Sequence, residues 1–170
     1  MNFVKSCGDI MSAEKYLKWC TKQMKGIKLV SESENLQKAY LAKSKTALRS
    51  MEVNANAGLD EWTISTSYYA KYFVIYALLS RIGIKCEIHD CTIALFSYLF
   101  GKDISPQLMQ DLRQAKEDRI DAQYYNAEVR IDSSETITKT KEFVIKIEEI
   151  IDYLNPQKIT EIRKTIKSIL

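Results

Sequence analysis

The run from Trp62 to Ile82 limits what this chain can fold into. Wound as a helix, it places apolar or aromatic side chains on nearly every face: Trp62, Ile64, Tyr68, Tyr69, Tyr72, Phe73, Ile75, Tyr76, Leu78, Leu79 and Ile82. A helix that is hydrophobic all round must be covered on all sides, so it belongs at the centre of a bundle. Lys71 and Arg81 are the only charges in the run, which is about as long as a membrane span. Its serines, threonines and four tyrosines argue against lipid, because hydroxyl groups need partners that a bilayer core does not supply. Asp60 is placed to cap the start of this helix, and Gly83 can take the left-handed conformation that ends it. A second apolar segment, Ile88 to Phe100, then returns along the first.

The flanking sequence supplies the helices that must cover this one. Ser12 precedes a stripe of Ala13, Tyr16, Leu17, Cys20 and Met24, with lysines on the other faces. Ser31 and Glu34 read as a capping box opening a second helix, whose buried stripe is Leu36, Ala39, Tyr40, Lys43, Ala47 and Met51. Ser105-Pro106 marks another start, since proline at the first helical position gives up only an N–H that had no partner. Leu108, Leu112, Ala115 and Arg119 follow along one face. Asp132 to Glu135 is a further cap, ahead of Ile137, Lys141, Val144, Ile147, Ile151 and Leu154. Asn155-Pro156 opens a last helix, whose stripe of Ile159, Ile162, Ile166 and Ile169 must dock on the body or on another subunit. No strand is predicted, and the fold is expected to be all-α with about seven helices.

With 170 residues, 46% of them hydrophobic and 28% charged, the chain has enough apolar material for one core, so a single domain over residues 1–170 is expected. The first residues lack the basic, apolar and small-residue pattern of a secretion signal, and a cytoplasmic protein without membrane attachment is expected. There Cys7, Cys20, Cys86 and Cys91, which form no CxxC pair, would remain thiols. Cys86, His89 and Cys91 offer three zinc-type ligands, but a fourth is missing, so neither metal nor cofactor is expected. There is no glycine-rich phosphate loop, HExxH, GxSxG or paired-carboxylate motif, which excludes conventional kinases, metalloproteases and hydrolases. A net charge of +3 allows a local basic patch without establishing a nucleic-acid partner.

Three segments carry a resemblance. Ser67-Tyr68-Tyr69-Ala70 in the central helix, His89 ahead of Ile93-Ala94-Leu95-Phe96, and Arg119-Ile120-Asp121-Ala122-Gln123-Tyr124 together resemble the HEPN domain family, most of all its small stand-alone prokaryotic members. The similarity covers residues 31–155, leaving an added helix in 1–30 and another in 156–170. It implies an up-and-down four-helix bundle, usually a homodimer, often encoded beside a minimal nucleotidyltransferase in toxin–antitoxin and defence systems. Many members are metal-independent ribonucleases in which an arginine and, four to six residues later, a histidine meet their counterparts across the dimer. The arginine holds phosphate by charge-assisted hydrogen bonds and the histidine transfers a proton near neutral pH.

Here Arg119 is kept, and Tyr124 stands where that histidine would fall. A phenol with an ordinary pKa of about 10 is a poor base at neutral pH. The resemblance therefore implies an RNA- or nucleotide-binding module with ribonuclease activity weak or lost. Two rivals are an active metal-independent ribonuclease using Arg119 with Tyr124 or a repositioned His89, and a non-catalytic bundle that binds another protein. Each residue also has a structural role open to it. Arg119 can hold RNA phosphate, or pair with Glu117, Asp121 or a carboxylate of a partner subunit. Tyr124 and Tyr125 can stack on a base or ribose, or seal the edge of the core. His89 can bind RNA or nucleotide, or hydrogen-bond the first turn of its helix or a neighbouring backbone.

Overall fold

In the computed structural model, which describes residues 2–4, 10–124 and 131–170, the central run is the helix α3, Asp60–Ile82. Four helices form the up-and-down bundle: α2 (Glu34–Asn56), α3, α5 (Pro106–Tyr124) and α6 (Ser133–Asp152), with α2, α5 and α6 all packed on α3. Burial of α3 on almost every side follows, and Tyr68, Val74, Ile75, Leu78, Leu79 and Ile82 are fully buried. The remaining helices are α1 (Ala13–Thr21), which packs on α4 (His89–Phe100), and α7 (Pro156–Lys167), which lies against the end of α3. Seven helices thus make up nearly all the regular structure of the described residues, as the periodicity predicts. Among those residues no helix is long and apolar enough to cross a membrane.

Most of the local stop and start signals operate as read. Ser12 accepts a hydrogen bond from the Lys15 amide, Ser105 from Leu108, Asp132 from Glu135 and Asn155 from Lys158. Gly83 ends α3 at φ 76°, in the left-handed region. Two caps differ from expectation. The cap of α2 is Ser33, whose hydroxyl accepts from Leu36, and not Ser31. The chain is still extended at Ser31 because Lys28–Leu29 (β3) pairs antiparallel with Ile84–Lys85 (β4), Val30 donates to Gly83 O, and Ser33 donates to Ser80 O. Glu34 instead reaches Arg81 at 3.3 Å. Asp60 does not cap α3 either. It is the first helical residue, preceded by Leu59 with no side-chain cap, where its charge faces the positive helix end.

The strands β3 and β4, and the antiparallel pair Asn2–Val4 (β1) and Ile10–Ser12 (β2), correct the expectation of no strand. Each is two or three residues long, too short for an alternating pattern to register in the sequence. The buried stripe of α2 is also rotated from the one read. Ser44, Ala47 and Met51 face the core, while Leu36 is half exposed and Lys43 faces out. Ser44 lies against α3 because its hydroxyl donates to Ala70 O at 2.8 Å, which satisfies it inside the bundle.

The isoleucine stripe of α7 docks on the body of its own chain, with Ile159, Ile162 and Ile166, and Ile169 just past the helix, all buried in the main core. Arg163 fastens it. One guanidinium nitrogen donates to the carbonyls of Val30, Ile82 and Gly83, at the C-terminal end of α3 where free carbonyls need donors.

The expectation of free thiols is corrected for two residues. Cys20 of α1 and Cys91 in the first turn of α4 form a disulfide, with Cα atoms 5.8 Å apart. Seventy-one positions separate them in sequence, so only the packing of α1 on α4 brings them together. Cys86 stays a buried thiol, its pKa raised by that burial. Cys7 lies outside the described residues.

Candidate functional site

Arg119 and His89, taken from distant parts of the sequence, meet at one ring. Arg119 lies on α5 on the face that also carries Leu112 and Ala115, so it points inward at α3, where Tyr68 and Tyr69 stand. Its guanidinium carbon is 5.5 Å from the centre of the Tyr68 ring and 5.3 Å from that of Tyr69. Both distances are within the range in which an aromatic face attracts a cation. No carboxylate pairs with Arg119 among the described residues, and its buried Nε has no hydrogen-bond acceptor there. Glu117 is instead drawn to Lys116. The aromatic faces hold the charge in place without neutralising it.

His89, the first residue of α4, reaches the same tyrosine at its hydroxyl. Its Nδ1 is 2.6 Å from the Tyr68 hydroxyl, and its ring stacks on Tyr72 with centroids 4.1 Å apart. The reading that it bonds the first turn of its own helix is replaced by this contact. Burial pushes the Tyr68 phenol well above its ordinary range and Tyr72 up to about 12, so both stay protonated near neutral pH. The Tyr68 hydroxyl and His89 Nδ1 share this hydrogen bond, and which of them donates follows the tautomer of the imidazole. His89 itself titrates below its ordinary value, first because it is partly buried and second because Arg119 is positive.

Neighbouring charges complete the setting. Asp90 pairs with Lys116 of α5 at 2.6 Å, which ties the start of α4 to the helix carrying Arg119. Lys116 precedes Arg119 by three positions and so shares its helix face, a spacing that could have marked it in the sequence. Tyr72 and Tyr69 had no charge pattern to single them out beyond the aromatic run itself.

Tyr124 lies apart from this cluster. It is 70% exposed at the end of α5 and makes no ring contact or hydrogen bond among the described residues. Gln123 beside it donates to Ser65 at 3.1 Å. Tyr125 lies outside the described residues. The three zinc-type ligands do not converge. Cys91 is taken by the disulfide, His89 Nδ1 by Tyr68, and Cys86 Sγ points to the Ile88 carbonyl. Among the described residues no group of three or more His, Cys, Asp or Glu side chains is placed to hold a metal ion.

The family model of the HEPN domain matches residues 37–158, well over half of the chain and all of the four-helix bundle apart from the first turn of α2. The chain belongs to the HEPN domain family. A comparison with curated proteins finds no match. The HEPN match covers Tyr68, Tyr69, Tyr72, His89, Lys116 and Arg119, so the cluster lies wholly within the family domain. Membership brings with it a nucleotide- or RNA-related module, and in this HEPN chain the candidate anion-binding group is an arginine held by two tyrosine faces.

Proposed function

We propose that this HEPN chain binds RNA or a nucleotide through Arg119 and that its ribonuclease activity is weak or lost. The observation that carries the reading is the unneutralised Arg119 guanidinium lying on Tyr68 and Tyr69. A phosphate oxygen is a suitable counter-charge for a guanidinium already oriented by its surroundings. Tyr69 beside it is half-buried, so part of its ring is open to a base or ribose.

Two features support loss of cleavage. Tyr124 stands in the place of the family histidine, and a phenol is a poor base at neutral pH. His89 has one ring nitrogen already taken. Its Nδ1 is engaged by the Tyr68 hydroxyl, which leaves at most Nε2 to accept a proton from a ribose hydroxyl. Family membership further supports a role in a toxin–antitoxin or defence system, as a pair of like subunits beside a minimal nucleotidyltransferase. The isoleucine face of α7 lends that pairing no support, because its own chain covers it.

The test uses purified protein, a fluorescent single-stranded RNA and ATP as separate probes, with chelator present. Arg119→Ala should weaken binding of whichever probe binds by about ten- to hundredfold, the effect of losing one charge-assisted partner. The unaltered protein should leave the RNA intact. Unchanged affinity in Arg119→Ala would remove this cluster from the site, and Arg119-dependent cleavage would refute the loss of catalysis.

A further inference from the structure

A second cavity, across Ala115 from the tyrosine cluster, has no part in that reading. It measures about 170 Å³, more than ten times the roughly 10–15 Å³ that one water requires. Its walls come from α3, α5 and the start of α6. At its inner side is Lys71, the only charge in the middle of the central helix. Lys71 is 3% exposed, yet its ammonium makes no hydrogen bond or ion pair among the described residues. Asp111 and Asp118 are the carboxylates it feels most strongly, but both are engaged elsewhere. Asp111 lies 3.9 Å from Lys139 and accepts from Gln107, while Asp118 accepts from Gln114 at 2.7 Å.

The charges sort the solutes that fit. Two cations, Lys71 and Lys139, face four carboxylates, Asp111, Asp118, Asp132 and Glu135, and of these Glu135 already pairs with Lys139 at 2.8 Å. A multivalent anion drawn to Lys71 meets the carboxylates, and a simple cation or polyamine drawn to the carboxylates meets the two lysines. The anion is opposed by four carboxylates and the cation by two ammonium groups. A molecule carrying one anionic and one cationic end can set each end against a group of opposite charge. We propose that this cavity binds a small zwitterion, an amine joined to a carboxylate, with the carboxylate on the Lys71 ammonium and the amine facing Asp111 and Asp118. Burial of Lys71 makes its charge costly to keep without a partner, and the ligand supplies that partner. Ile64, Ala115 and Ile131 form the apolar part of the wall and leave room for a short methylene chain.

Calorimetric titration of the full chain near neutral pH tests this, with glycine, β-alanine and 4-aminobutyrate as zwitterions of increasing charge separation. Acetate, ethylamine and inorganic phosphate serve as the comparison. At least one zwitterion should bind about tenfold or more tightly than acetate or ethylamine. Lys71→Met and Asp118→Asn should each weaken it by about ten- to hundredfold, while leaving RNA or ATP binding at Arg119 unchanged. Circular dichroism checks that both variants fold. If Lys71→Met does not fold, Asp118→Asn decides, because Asp118 is partly exposed and bonded only along its own helix. Acetate or phosphate binding as tightly as the best zwitterion, ethylamine doing so, or no heat from any zwitterion at about 10 mM would each overturn the proposal.

Discussion

Replacing Lys71 by methionine should make the protein more stable, and the gain should shrink as the pH rises. Lys71 sits in the middle of α3 with its pKa pushed down from 10.5 to about 8, chiefly by burial. Asp111 and Asp118 oppose that shift, and Lys139 adds to it. Below pH 8 the amine is charged in both the folded and the unfolded chain, so the full cost of burying the charge is present. From the two pKa values this cost is about 3 kcal/mol at pH 7. Between about 8 and 10.5 the unfolded chain holds the proton and the folded chain does not, so stability rises with pH and the cost fades. At pH 10 only about 1 kcal/mol should remain. Methionine has a similar length and no charge, and removing an unpaired buried charge leaves no partner stranded. Urea unfolding of both proteins at pH 7 and pH 10, with the disulfide kept oxidised, measures the difference directly. A Lys71→Met protein less stable than the original at pH 7, or a difference that does not change with pH, would refute the reasoning.

Three further outcomes are expected. Reducing the Cys20–Cys91 bond should destabilise the fold by about 4 kcal/mol, the loop-closure value for a 71-residue separation, and Cys20→Ser should lose the same amount under oxidising conditions; an unchanged urea midpoint on reduction would contradict it. By NMR, His89 should titrate below its ordinary value of about 6.5, and Arg119→Gln should move it upward by removing a nearby positive charge. The folded pKa is the lower one, so stability should fall as the pH drops through that window, and a His89 value above 6.5 would count against the site as described. Ser33→Ala should cost about 1 kcal/mol in thermal or urea unfolding and Ser31→Ala almost nothing, since only Ser33 caps α2; the reverse order would place the helix start wrongly.

Local patterns carried much of the fold. Ser12, Ser105-Pro106, Asp132, Asn155-Pro156 and Gly83 each act within one helical turn, so the sequence states where those helices start or stop. The apolar run of α3 likewise states its own burial, because no arrangement of a helix greasy on all sides leaves it at the surface. Ser31 shows where this legibility ends. The residue has the right spacing to Glu34, but pairing of β3 with β4, more than fifty residues apart, keeps the chain extended past it.

The site was legible only as separate residues. Arg119 and His89 stood out as an inward-facing charge and a sole histidine, but the sequence says nothing of the Tyr68 ring that joins them. It also gives no sign that Tyr124 ends up away from that ring, that Cys20 meets Cys91, or that Lys71 opens on a cavity shared by three helices. By itself the sequence determined an all-helical bundle built on α3, because periodicity and caps are properties of neighbouring residues. Which side chains meet between helices was decided by the tertiary structure, because it depends on how each helix is rotated about its axis against the next.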